Sequence, residues 1–214
     1  MKNVYIFDFD GTLADSMPCW SQKMLSVLSS LGVAYPKNII EILTPLGDLG
    51  SIKYFREVLG VEVEEQTLIK KMDEYALPKY RDEILLKAGV SEYLCFLSKK
   101  GVSLNVLTAS PRRMVEPCLK RNGVYDLFDN VWSSEDFGKT KSDKTIYTDA
   151  LERLSSRVED AVFFDDNVVA LKTAKSAGLY TVGVYDSSAE GFKAEAQAVS
   201  DLYIEGFSNF FQTF

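Results

Sequence analysis

Short apolar runs alternate with longer amphipathic stretches along most of the chain. Residues 4–7, 102–107, 161–164 and 180–184, with a weaker run at 130–132, are rich in β-branched or aromatic side chains and bounded by turn or charged residues. Strands buried on both faces of a parallel sheet have this character. Between them, residues 90–100, 112–122, 143–154 and 168–177 carry apolar positions at helical spacing. Strand–helix alternation predicts βαβ units with right-handed crossovers, hence an α/β fold with a doubly wound parallel sheet. Gly101 and Gly178 fall just past two of these helices, where a left-handed C-cap belongs.

The interval from about residue 15 to 83 breaks this rhythm. It reads as helices alone, at 20–31, 37–43, 52–59 and 64–75, interrupted by the turn-rich segment Pro45-Leu46-Gly47-Asp48-Leu49-Gly50. A helical block inserted after the first strand predicts a small all-helical second domain at 15–83, with residues 1–14 and 84–214 forming the α/β core. The 45–50 segment is expected to be a substrate-selecting loop, because a turn can project into a pocket and move with a lid.

Charge and composition narrow the chemistry. The 214 residues are 46% hydrophobic and 26% charged, an ordinary globular balance. Lys plus Arg total 24 against 31 Asp plus Glu, giving a formal net charge of -7. Nonspecific affinity for nucleic acid needs clustered cations, so no nucleic-acid partner is expected. Cys19, Cys95 and Cys118 form no CxxC pair and read as unpaired thiols of a reducing compartment. The apolar run before Asp8 is too short for a signal-peptide core or a membrane span, so a cytoplasmic protein without a membrane partner is expected. No obligatory protein partner is inferred. There is no histidine, which excludes Ser-His-Asp and Cys-His catalysis and phosphohistidine chemistry, and leaves proton transfer to a carboxylate, Lys, Tyr, Cys or water.

Three of the apolar runs end in polar clusters. Residues 4–7 lead into Asp8-Phe9-Asp10-Gly11-Thr12, residues 104–107 into Thr108-Ala109-Ser110, and residues 161–164 into Asp165-Asp166-Asn167. Ligands of open parallel sheets bind at the carboxyl ends of the strands, so the clusters converge if their strands are neighbours. Asp8, Asp10, Asp165 and Asp166 would then share one pocket, which requires a cation, and an oxygen-only donor set favours Mg²⁺. Gly11 permits close backbone approach to a phosphate, and Thr12 offers an amide and a hydroxyl. Asp165 and Asp166 have a plainer reading as the N-cap of the following helix. Lys53, Arg56, Lys79 and Arg81 in the helical block read first as a solvated face. Met17 and Trp20 divide evenly between simple packing and a place at the site entrance.

The run Asp8-Phe9-Asp10-Gly11-Thr12-Leu13, preceded by Val4-Tyr5-Ile6-Phe7, resembles the first signature of the haloacid-dehalogenase superfamily of phosphohydrolases. Thr108 at its strand end is similar to the second signature. Lys141 with Tyr147 six residues on fits the third better than Lys139, and Phe164-Asp165-Asp166 through Ala177-Gly178 fits the fourth. The resemblance implies a Rossmann-like core with a helical cap and Mg²⁺-dependent hydrolysis of a small phosphorylated metabolite through an aspartyl-phosphate. It implies Asp8 as nucleophile and Asp10 as general acid and base. Thr108, the Ala109 amide and Lys141 would hold phosphoryl oxygens, with Gly11, Thr12 and Ser110 beside them. The metal would be held by Asp8, the Asp10 carbonyl and Asp166, with Asp165 direct or through water. Two departures stand out: Ala170 occupies a position that is often acidic, and Lys141-Ser142-Asp143-Lys144 replaces a proline-rich version, which leaves Lys139 open as the alternative lysine. A β-phosphoglucomutase-like phosphosugar mutase is the runner-up, although such mutases place a histidine where this chain has Trp20. A phospho-acceptor switch or binding protein is the reading from a different class.

Overall fold

Val4–Phe7 (β1) is buried along its whole length, because each of its faces meets a separate apolar layer. Tyr5 and Phe7 join a cluster that includes Tyr93, Leu94, Val106 and Phe164, while Val4 and Ile6 join one with Leu107, Tyr147 and Phe163. In the computed structural model, which describes residues 2–208 and 210–214, β1 is followed by four helices: Met17–Ser30 (α1), Ile39–Leu43 (α2), Gly47–Glu57 (α3) and Glu65–Asp82 (α4). The alternating part then runs Val90–Lys99 (α5), Ser103–Thr108 (β2), Arg112–Arg121 (α6), Asn130–Ser133 (β3), Thr145–Arg153 (α7), Ala161–Asp165 (β4), Val168–Ser176 (α8), Tyr180–Val184 (β5), Lys193–Val199 (α9) and Leu202–Ile204 (β6).

The six strands form one parallel sheet in the order β3-β2-β1-β4-β5-β6. β1 therefore lies between β2 and β4, with Phe7 level with Val106 on one side and Phe164 on the other. The Phe7 and Phe164 rings stack at 4.5 Å between centroids. The order reverses between β1 and β4, and a crevice opens beyond the strand ends at such a point. Gly101 and Gly178 adopt φ of 73° and 95° just past α5 and α8, the left-handed caps expected of them.

The helical block has its own apolar cluster, built on Trp20, Met24, Leu28, Ile52, Phe55, Leu68 and neighbours. Two expectations are corrected there. Residues 45–50 are not a loop: a 3-10 turn at Thr44–Leu46 passes directly into α3. The turn signal is confined to Gly47, at φ 65°, and burial of Ser51, Ile52 and Phe55 carries the helix back through Asp48 and Gly50. Likewise α4 runs seven residues beyond the expected end at Tyr75, through Pro78, to Asp82. An interior proline costs roughly 3 kcal/mol. Leu68, Met72, Ala76 and Tyr80 form a buried stripe at steps of four, and burying the last two offsets that cost. Met17 and Trp20 are buried in this cluster. Lys53, Arg56, Lys79 and Arg81 pair with nearby carboxylates on the outer faces. Among the described residues, no helix is long and apolar enough to cross a membrane.

The turn into α5 is made by Gly89, at φ 83°. A Cβ there would fall on the backbone nitrogen of Ser208 and lie 2.5 Å from the Phe207 carbonyl carbon. Gly89→Ala is expected to destabilise the protein by at least about 2 kcal/mol, lowering Tm by roughly 4–8 °C in thermal unfolding followed by circular dichroism. Gly123→Ala, also at positive φ but in open space, is expected to cost only about 1 kcal/mol. Equal losses in the two variants would show that backbone strain alone sets the penalty.

Candidate active site

Asp8 is the first residue past β1, and its amide still donates to the Phe164 carbonyl at 2.9 Å, continuing the ladder with β4. That bond fixes the carboxylate at the strand end, 3% exposed. Asp165, the last residue of β4, and Asp166 beside it present carboxylates to the same point. Oxygens of Asp8, Asp165 and Asp166 all lie within 4.8 Å of one another. Lys141 Nζ donates to Asp8 Oδ1 at 2.5 Å and to Asp165 Oδ2 at 2.7 Å. Three carboxylates against one ammonium leave two negative charges uncompensated when all are ionised.

The electrostatic consequences follow from burial. Desolvation pushes the Asp8 carboxyl well above the usual carboxylate range. Lys141 opposes this, and the neighbouring carboxylates add to it. Burial, then the charge on Asp165, pushes Asp166 up to about 8. Burial disfavours the Lys141 ammonium, but Asp165 and Asp8 outweigh it and hold the lysine above its ordinary value. A cluster of this kind, oxygen-only, buried and short of two positive charges, fits a divalent cation held by Asp8, Asp165 and Asp166.

The surrounding residues hold the cluster in register. Gly11 sits at φ 76°, and a Cβ on it would lie 2.7 Å from Asp166 Oδ2. Only glycine lets this loop cross so close to the carboxylate. Thr12 Oγ1 donates to Asp166 Oδ1 at 3.3 Å. Thr108 ends β2 fully buried, two residues beyond the partner of Phe7, and its Oγ1 accepts from the Ser110 amide at 3.0 Å. Its hydroxyl proton stays available to an acceptor. Ala109 is exposed and Ser110 buried. The single hydroxyl proton of Tyr147 is shared between the Lys141 carbonyl at 2.9 Å and the Ala170 carbonyl at 3.2 Å, which gives the six-residue Lys–Tyr spacing a physical reason. Ala170 is buried in one apolar cluster with Phe163 and Tyr147, no place for a solvated acid. Lys139 pairs instead with Asp149 at 2.5 Å.

Two placements differ from the sequence reading. The carboxylate of Asp10 lies outside the three-carboxylate group. Its Oδ1 accepts from Ser16 Oγ at 2.7 Å and from Tyr80 at 2.5 Å, so it faces the start of α1 and the end of α4. The N-cap of α8 is Asn167, whose Oδ1 accepts from the Val169 and Ala170 amides at 2.9 and 3.3 Å. Asp165 instead accepts from the Asn167 amide at 2.7 Å. Sequence reasoning missed Ser16, Tyr80 and Lys87. Tyr80 continues the stripe of α4, the one signal that pointed to it. Lys87 donates to the Gly11 carbonyl and to the Tyr185 carbonyl at 2.8 Å, and pairs with Asp186 at 2.7 Å. A lone lysine after a helix carries no such signal.

A family model described as haloacid dehalogenase-like hydrolase matches residues 5–184. The chain is 27% identical over 187 residues to a phosphorylated carbohydrates phosphatase of Thermotoga maritima, covering 87% of each. It is 28% identical over 192 residues to a phosphoglycolate phosphatase of Psychrobacter arcticus, covering 86% of this chain and 83% of the relative. The crystal structure of CbbY from Rhodobacter sphaeroides in complex with phosphate shares the fold, with a TM-score of 0.85 at 23% identity over 98% of this chain and 96% of that one. The carboxylates gathered at the β1 and β4 ends thus stand in a chain that belongs to the haloacid dehalogenase-like hydrolases.

Proposed function

We propose that the protein is an Mg²⁺-dependent phosphatase that hydrolyses a small phosphorylated metabolite through an aspartyl-phosphate on Asp8. The observation that carries this reading is the contact of Lys141 with both Asp8 and Asp165 beside Asp166, which gathers a nucleophile, a cation and a metal-binding acid pair at one point. An Asp8 oxygen attacks phosphorus, the bond from phosphorus to the ester oxygen breaks, and Asp10 gives its proton to the departing oxygen. Water then attacks the same phosphorus, Asp10 takes the proton, and inorganic phosphate leaves as the Asp8 carboxylate is restored. Lys141, the Thr108 hydroxyl and the Ala109 amide hold the phosphoryl oxygens, with Gly11, Thr12 and Ser110 shaping the cradle. Asp8, Asp165, Asp166 and the Asp10 carbonyl would hold Mg²⁺, which when bound would offset charge on the transferring group.

Ser16 and Tyr80 hold Asp10 Oδ1, which leaves Oδ2 as the proton carrier. Residues 15–83 form the cap over a core of residues 1–14 and 84–214, and the cap sets the leaving group. Net hydrolysis is favoured over mutase turnover because the chain lacks histidine, and the indole at position 20 is committed to Asp48.

Phosphate release from a panel of small esters, with Mg²⁺ and with EDTA, tests the reading. Asp8→Asn is expected to lower kcat at least about a thousand-fold, and Asp10→Asn by roughly 10²–10⁴, both with unchanged circular dichroism. Release that is indifferent to EDTA, or that persists in Asp8→Asn, would overturn it. Independently of turnover, MgCl₂ is expected to raise the Tm of the wild type by several degrees, since a ligand at about 100 times its Kd adds ~2.7 kcal/mol. Asp166→Asn is expected to lose that shift, and an undiminished shift would remove Asp166 from the metal site.

A further inference from the structure

Lys87 lies on the return from α4 to the core, and its side chain is 16% exposed. Its ammonium donates to the Gly11 carbonyl and, at 2.8 Å, to the Tyr185 carbonyl, and pairs with Asp186 Oδ2 at 2.7 Å. Two carbonyls and a carboxylate thus use all three N–H bonds. Asp186 is buried too, and its Oδ1 accepts from the Ser188 amide at 2.9 Å and the Ser188 hydroxyl at 2.6 Å. Neutralising Asp186 accounts for one of the three lysine contacts. A buried pair is weak evidence for stability, since apolar residues of similar volume often serve as well. The two carbonyl contacts call for a different reason.

The Gly11 peptide supplies it. The ladder between β1 and β4 ends where the Asp8 amide meets the Phe164 carbonyl, so the sheet does not hold the chain beyond that point. Residues 13–15 are held instead by the return segment. The Lys87 amide donates to the Leu13 carbonyl at 2.9 Å, and the Asp15 amide to the Leu85 carbonyl at 3.0 Å. Ala14 pairs with Leu86 between them. The Lys87 side chain extends this pairing to Gly11, two residues nearer Asp8. There the fit is close, because a Cβ on Gly11 would lie 2.7 Å from Asp166 Oδ2. The Gly11 carbonyl is the handle that keeps the Asp10 peptide in register with the Asp166 carboxylate.

We infer that Lys87 is a positioning residue, a tethered monovalent cation that holds the Gly11 carbonyl and thereby sets the spacing between the Asp10 peptide and the Asp166 carboxylate. The inference rests on the proposed roles of Asp8, Asp10 and Asp166. Removing the ammonium frees the loop that carries Asp10, while Lys141 and Thr108 keep their places. The loss falls on the chemical step and on divalent-cation affinity rather than on capture of the ester. Groups that orient the residues around a metal site typically change affinity or activity ten- to hundred-fold. The acceptors around Lys87 Nζ are all oxygens, a donor set that a free ammonium ion can also satisfy once the side chain is cut back.

Two variants test this. Lys87→Met with Asp186→Asn leaves no unpaired buried charge and keeps an acceptor for Ser188. If Lys87 served only to neutralise Asp186, this double variant would behave as wild type. It is expected instead to lower kcat at least about ten-fold with KM changed less than about three-fold, and to raise the MgCl₂ concentration that gives half of the Tm increase at least about ten-fold. In Lys87→Ala, ammonium chloride is expected to recover kcat at least about three-fold more than sodium chloride at equal ionic strength. Wild-type kcat and MgCl₂ response in the double variant would overturn the inference, as would a rise in KM with kcat kept. An equal response to the two salts in a folded Lys87→Ala would overturn the tethered-cation assignment. Should the wild type release no phosphate from any ester, the hydrolase reading fails, and the MgCl₂ response of the double variant still decides the role of Lys87.

Discussion

Three buried carboxylates at the ends of β1 and β4 repel one another, and the arrangement of the core serves to hold them together in spite of it. Asp8 is fixed by a continuing ladder bond to β4, Asp165 by the Asn167 amide, and Asp166 by Thr12 and the closely passing Gly11. Among the described residues, Lys141 supplies the one cation that touches the cluster directly. Without a further positive charge, burial pushes Asp8 and Asp166 toward their protonated forms. The site is therefore pre-organised for charge it does not itself carry, the condition under which electrostatic stabilisation of a transferring phosphoryl group is strongest.

The parallel sheet makes that convergence possible. β1, β2 and β4 are distant in sequence, but their adjacency brings the three polar strand ends to one edge. Tyr147 then locks the approach of Lys141 by bonding the carbonyls of Lys141 and Ala170, tying α7 to α8 behind the site. Lys87 performs a comparable service from the other side, joining the Gly11 loop to Tyr185 and Asp186 past the end of β5. Neither residue needs to touch a substrate to matter for the geometry of those that do.

The core was legible because strands buried on both faces are continuous apolar runs, and the polar residue ending each run marks where the sheet meets solvent. β1 and β5 coincide with their expected limits, and β2 and β4 run one residue further, into Thr108 and Asp165. Asp8, Asp165 and Asp166 stand out by their place at strand ends and Lys141 through the family resemblance, and the four do meet. What escaped depends on contacts across the fold. The extension of α4 past Pro78 is stabilised by burial of Ala76 and Tyr80, which local propensity does not register. The segment at 45–50 has turn composition, but its apolar continuation at Ile52 and Phe55 wins. Lys23 is an ordinary surface residue by type, and only the fold puts Asp48 above it. α9 and the three-residue edge strand β6 were too short and too half-buried to rise above loop.

α4 belongs to both apolar clusters: Leu68 and Met72 lie in that of the helical block, and Ala76 and Tyr80 in that of the sheet. An unbroken helix of this kind behaves as a lever rather than a strap. At ~1.5 Å rise per residue the arm from Tyr80 to Glu65 is roughly 22 Å long, so a tilt of about 10° swings its far end by roughly 4 Å. Tyr80, close to the fulcrum, hardly travels in such a tilt. The rim of the helical block can thus widen or narrow while the hydrogen bond from Tyr80 to Asp10 stays made, so that the width of that rim and the aim of the Asp10 carboxylate are mechanically separate.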